Sequence, residues 1–82
     1  MRVHVRAFAQ MRELLETGEF DLDLSDGATL VDVWDAIRAR NRKVDTLAGS
    51  TRIARNGRVA ALMSERLAEG DEIALLPPVG GG

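Results

Sequence analysis

The chain has 82 residues, 45% hydrophobic and 29% charged, with a formal net charge of −2. That suits one small domain with a hydrophobic core and excludes wholesale disorder. With no cysteine, a disulfide scaffold, a cysteine nucleophile, an iron–sulfur cluster and a cysteine-based zinc site are all excluded.

Residues 2–8 read as a strand, with Val3, Val5 and Ala7 on one face and His4, Arg6 and Phe8 on the other. Residues 10–17 are good helix formers, and Gly18 is placed to supply a left-handed stop. The stretch from Glu19 to Ser25 alternates cleanly, turning Phe20, Leu22 and Leu24 to a core and its acidic residues to water. Asp26-Gly27 is a turn. Thr29 is then a candidate N-cap with Asp32 three residues on. Leu30, Val33, Trp34 and Ile37 recur at helical spacing, which predicts the main helix over 30–41. Residues 43–50 lack a firm period and read as a loop. Asn56-Gly57, between Arg52–Arg55 and Arg58–Leu62, predicts a hairpin with a type I′ turn. Arg55 shares a side with Ile53, at a strand end where it can snorkel to water. Glu69-Gly70-Asp71 is a turn, Glu72–Leu76 a last strand, and Pro77-Pro78 ends it.

The order is strand, short helix, strand, main helix, three strands and a flexible C-terminal Gly-Gly tail over 77–82. Strongly apolar first and last strands belong near the sheet centre. The expected fold is α+β: one β-grasp (ubiquitin-like) domain over 1–82, its mixed sheet crossed on one face by the main helix.

Candidate chemistry is sparse inside the domain. The basic cluster Arg38, Arg40, Arg42 and Lys43 has Asp32, Asp35 and Asp45 around it, and the aromatics are Phe8, Phe20 and Trp34 alone. No nucleic-acid partner is expected from that. No apolar run is long enough to span a bilayer, and the alternating opening is not a signal sequence, so no membrane partner and a cytoplasmic location are expected. His4 has no nucleophile partner in a known pattern. Asp21 and Asp23 read as the wet face of a strand, so no metal is expected.

The tail is different. Pro77-Pro78 stiffens the exit from the last strand, and Gly80, Gly81 and Gly82 follow Val79. A glycine tail can thread a channel too narrow for side chains. Residues 79–82 reach at most about 13–14 Å when extended. A stiff exit, a thin probe and a carboxylate suit delivery of Gly82 into another protein's active site. By alternation Phe8 and Leu76 face away from the main helix. Together they form a candidate docking patch if the fold brings them side by side.

These residues carry a resemblance to a known family. Phe8-Ala9-Gln10-Met11-Arg12-Glu13-Leu14, the Thr29–Ile37 helix opening, Asn56-Gly57 and above all Leu67–Gly82, with its Gly-Asp-Glu turn, double proline and terminal Gly-Gly, resemble the MoaD/ThiS sulfur carriers. Within that family the likeness is greatest to molybdopterin synthase small subunits. It implies the following course. An E1-like adenylyltransferase uses ATP to adenylate Gly82. A sulfur donor protein converts the adenylate to a thiocarboxylate. The tail then enters the molybdopterin synthase large subunit, in a heterotetramer, and gives its sulfur to cyclic pyranopterin monophosphate for the molybdenum cofactor. The chain would bind no cofactor tightly and would not be catalytic alone. The resemblance makes Gly81 and Gly82 the functional terminus and maps Phe8, Leu76, Pro77, Pro78, Val79 and Gly80 onto the docking region. Arg55, where relatives often carry an apolar residue, and Gly80 depart from the pattern and keep open a related carrier for thiamine, cysteine or another thio-compound. The alternatives from other classes are a ubiquitin-like protein modifier acting through Gly82 and a ubiquitin-like binding module with an inert tail.

Overall fold

The computed structural model describes residues 1–78. Alternation sets the strands. In β1 (Arg2–Ala7), Val3, Val5 and Ala7 are buried and the intervening residues are not. In β5 (Glu72–Leu76), Ile73 and Leu75 are fully buried. Between them in the chain come α1 (Ala9–Leu15), β2 (Glu19–Asp23), α2 (Leu30–Arg40), β3 (Arg52–Arg55) and β4 (Arg58–Val59). The strands form one five-stranded sheet in the order β2-β1-β5-β3-β4. β1 and β5 pair in parallel and the other neighbours are antiparallel. The two most apolar strands therefore lie inside the sheet, as predicted, and the mixed sheet under one main helix is the β-grasp arrangement.

The core fills the space between one sheet face and α2. Leu30, Val33 and Ile37 of α2 are completely buried and meet Val3, Val5, Ile73 and Leu75. Each such side chain contributes about 1.5–3 kcal/mol of burial. Trp34, expected with them, is only half-buried at the core margin. At about 100° per residue Trp34 stands roughly 40° beyond Leu30 and 100° from Val33, so it falls at the edge of the buried stripe and not in its middle. Phe20 is also half-buried, and the Arg40 guanidinium lies 3.8 Å over its ring. The helix opening matches its expected signal: the Thr29 N–H donates to the Asp32 carboxylate at 2.8 Å.

Several local expectations change. α1 ends earlier than residue 17, and its left-handed cap is Glu16, at φ 59°, not Gly18. Gly18 has another use: a Cβ there would come within 3.2 Å of the Arg12 guanidinium. The supposed loop at 43–50 lies in a stretch of 3-10 turns over Arg42–Ser50. Its spacing of three (Val44, Leu47) seats Val44 fully in the core and Leu47 against it. Asn41 ties this stretch to both helices, donating from Nδ2 to the Leu14 carbonyl and accepting the Lys43 N–H. The hairpin turn is type I′, with Asn56 at φ 50° and Gly57 at φ 85°. β4 stops at Val59. Beyond it the Ala60 N–H still reaches the Ile53 carbonyl, but the Ala61 N–H turns to the Glu65 carboxylate.

Arg55 does not snorkel to open water. Its Nε donates to Asp71 Oδ2 at 2.8 Å, and Nη1 lies 3.6 Å from Glu65. Asp71 is buried, and also accepts from Asn56 Nδ2 at 2.9 Å and from the Ala68 N–H at 2.8 Å. Burial alone would push this carboxyl up. The hydrogen bonds from Asn56, Ala68 and Arg55, with the Arg55 charge, outweigh it and hold Asp71 below the usual carboxylate range. The turn before β5 is thereby stapled to the β3–β4 hairpin.

Candidate docking face at the tail exit

The sheet face away from α2 is set by the same alternation, and cross-strand register decides which residues meet there. Arg6 lies opposite Ala74 and Ala7 opposite Leu75. Phe8, still extended at φ −133° and ψ 159°, is the next step and falls beside Leu76. Phe8 is 40% exposed and Leu76 half-buried. On the other side of β5, Arg52 pairs with Leu76 and Ala54 with Ala74. Ala54 in turn pairs with Val59, which is 56% exposed. An apolar strip thus runs across the sheet from Phe8 through Leu76, Ala74 and Ala54 to Val59. The two alanines keep its middle low, so another protein can approach the backbone closely. Pro77 and Pro78, both exposed, lead out from its Leu76 end.

The rest of this face has opposite character. Arg2 Nε is 3.0 Å from Asp23, His4 Nδ1 is 2.7 Å from Asp21, and Arg6 Nε is 3.0 Å from Glu72. The hydrogen bond and charge of Arg2 hold Asp23 below the usual carboxylate range. His4 Nε2 also lies 3.5 Å from Glu19. Asp21 and Asp23 are therefore partners of strand β1. The basic cluster at the end of α2 is similarly used: Arg38 reaches Asp45 at 3.0 Å, while Arg40 covers Phe20. Among the described residues no group of three metal-ligating side chains converges.

The structure therefore joins Phe8, Leu76, Pro77 and Pro78 at one end of the sheet. Val79, Gly80, Gly81 and Gly82, the other residues expected to act, lie outside the described residues. Sequence reasoning missed Val59 and Arg52. Part of that signal was countable, since a two-residue turn at Asn56-Gly57 makes Arg55 and Arg58 opposite and so Ala54 and Val59 opposite. The β3–β5 pairing that sets Arg52 opposite Leu76 and, through Ala54, puts Val59 in the row of Ala74 is not written in any local pattern.

The model of the ThiS family matches residues 5–82. The chain belongs to the ThiS family. It is 34% identical over its full length to the full-length molybdopterin synthase sulfur carrier subunit of Chlamydomonas reinhardtii. It is also 33% identical to small archaeal modifier protein 1 of Haloferax volcanii, over 94% of this chain and 97% of that one. The crystal structure of that modifier superposes with a TM-score of 0.87 at 29% identity, covering all of both chains. A protein–protein complex of subunits 1 and 2 of molybdopterin-converting factor from Helicobacter pylori contains a chain similar at a TM-score of 0.70 and 29% identity, again covering all of both. Among the described residues no helix is long and apolar enough to cross a membrane.

Proposed function

We propose that this ThiS-family chain is the sulfur-carrier subunit of a molybdopterin synthase. The observation that carries the reading is the apolar strip from Phe8 to Val59, which ends where Pro77-Pro78 launch the glycine tail. A carrier needs a recognition surface next to its reactive end, and needs little else of its own. The sulfur carrier subunit from Chlamydomonas and the two-subunit complex from Helicobacter support the same assignment.

In this reading an E1-like adenylyltransferase binds ATP, and a Gly82 carboxylate oxygen attacks the α-phosphate. Pyrophosphate leaves and an acyl-adenylate remains. The step matters because a carboxylate oxygen is a poor leaving group and AMP a good one. The terminal sulfur of a donor persulfide attacks the acyl carbon and expels AMP. A thiol then cleaves the S–S bond, becoming a disulfide with the donor and leaving the thiocarboxylate on Gly82. Gly80, Gly81 and Gly82 then pass into the large subunit, where the thiocarboxylate sulfur attacks cyclic pyranopterin monophosphate. Water cleaves the acyl–sulfur bond of the thioester so formed, leaving the sulfur on the acceptor and a carboxylate on Gly82. The strip around Phe8 and Leu76 seats the carrier on each partner in turn, in the large-subunit complex as half of a heterotetramer. Catalytic side chains and ATP belong to those partners.

The likeness to small archaeal modifier protein 1 favours one second reading. Activation is the same up to the adenylate, after which an amine in place of sulfur takes the acyl group. Lys43 would then be the single internal lysine able to extend a chain of copies. Related carriers for thiamine, cysteine or another thio-compound differ in the large partner, not in tail chemistry.

The test is intact mass after incubation with ATP, the activating enzyme and a sulfur donor. The expected gain is one oxygen exchanged for one sulfur, lost when Gly82 is deleted, followed by sulfur transfer once the large subunit and cyclic pyranopterin monophosphate are added. Loading without transfer to that acceptor would point to another thio-compound. No loading, with high-mass conjugates that vanish on deletion of Gly82, would replace the carrier by a modifier.

A further inference from the structure

Among the described residues five large apolar side chains are exposed, and besides Phe8 they are Val31 at 46%, Val59 at 56%, Leu62 at 65% and Met63 at 39%. The Val31 N–H donates to the Met63 carbonyl at 3.1 Å, which brings the loop after β4 against the start of α2. Between α2 and the β3–β4 edge this leaves a groove of about 410 Å³. Its lining includes Trp34, Ile53, Val59, Ala60, Met63 and Arg52. The small side chain of Ala60 helps leave the space open, and an unfilled apolar groove on so small a domain marks an interaction site.

The charge at this groove has one sign. Arg52 is the only charged residue lining it, and makes no ion pair among the described residues. Arg58, beside Val59, is likewise exposed and unpaired among them. The neighbouring acid, Glu65, is already engaged by Arg55 and by the Ala61 N–H. A partner segment that fits must therefore bring a carboxylate as well as an apolar side chain. The groove also adjoins the tail-side strip. Val59 belongs to both, and Arg52 stands directly across from Leu76.

We propose that this groove is a second arm of the docking surface and takes an extended acidic–apolar segment of the large subunit that receives the tail. An apolar side chain of that segment packs between Trp34 and Met63 while a neighbouring carboxylate meets the Arg52 guanidinium. The inference rests on the carrier reading above. It adds that the receiver wraps round the β3–β4 edge onto the helix side, so that the sheet is gripped on both faces and the tail's direction is set.

Full-length chain is titrated with purified molybdopterin synthase large subunit, with Trp34, the sole tryptophan, as the emission probe. Wild-type binding is expected to shift Trp34 emission. Arg52→Glu should weaken binding about tenfold, and more at low salt, while Arg52→Lys keeps most of it. Met63→Asp touches the groove and not the tail-side strip, and should weaken binding comparably. Both replaced residues are exposed, and urea midpoints check that the variants stay folded. Unchanged Trp34 emission with normal affinity of Met63→Asp would overturn the groove and leave the carrier reading standing, even if Arg52→Glu binds poorly. No wild-type binding at all would overturn both. A concentration-dependent emission shift without the large subunit would seat a second copy in the groove and overturn this assignment.

Discussion

Replacing Asp71 by alanine should cost the fold more than any exposed substitution, because it strands three donors together. Oδ2 accepts from Arg55 Nε at 2.8 Å and from the Ala68 N–H at 2.8 Å, and Oδ1 accepts from Asn56 Nδ2 at 2.9 Å. Asp71 is only 6% exposed, so water cannot simply replace its oxygens. Leaving two neutral donors and one cation poorly paired costs about 3–4 kcal/mol, after allowing Arg55 to lean further toward Glu65. Total stability for a chain this long is about 4–12 kcal/mol, so the variant sits near the edge of folding. Asp71→Asn should also destabilise, since its amide must point a donor at another donor whichever way it flips. The pH dependence follows from the depressed carboxyl. Asp71 is held lower in the folded state than in the unfolded chain, so its contribution is complete above about pH 4 and drains away as pH falls through the folded value. Urea unfolding followed by Trp34 emission and far-ultraviolet circular dichroism, from neutral pH downward, measures both effects. The gap between wild type and Asp71→Ala should be largest at neutral pH and close in acid. A loss below about 1 kcal/mol at neutral pH, or a gap that persists unchanged in acid, would refute the staple.

Gly57→Ala should lose about 1–2 kcal/mol from strain at φ 85° alone, since a Cβ there meets nothing within 4 Å; an unchanged urea midpoint would contradict the type I′ turn. Trp34→Ala should cost about 1.5–3 kcal/mol, less than a fully buried ring, and a larger loss by the same denaturation measured with circular dichroism would put Trp34 in the core. Leu76→Glu and Phe8→Asp should each reduce large-subunit affinity by at least about tenfold with little change in melting temperature, and normal binding by both in calorimetry would move the docking face elsewhere.

Much of this molecule is legible in short-range pattern. Period-two alternation in Val3–Ala7 and Ile73–Leu75, helical spacing in Leu30–Ile37, and the Asn56-Gly57 pair each encode a local geometry that backbone sterics nearly dictate. The same alternation says that Phe8 and Leu76 face away from the helix. Where local signals were thin, reading failed. Two apolar residues three apart, Val44 and Leu47, are too few to reveal a 3-10 stretch, and a left-handed Glu16 takes the cap that glycine usually holds.

The sequence by itself thus determined the order of the elements, the inward residue of nearly every strand and the composition of the tail, because those depend on neighbours within a turn or two along the chain. Only the tertiary structure decided that β1 and β5 lie parallel and adjacent, which turns Phe8 and Leu76 from two isolated apolar residues into one surface. It decided that β3 flanks β5, adding Val59 and Arg52 to that surface, and that Asp71 meets Arg55 across sixteen positions of chain. Such pairings depend on which strand edges and which buried charges find one another when the core closes, and that choice belongs to the packed sheet as a whole.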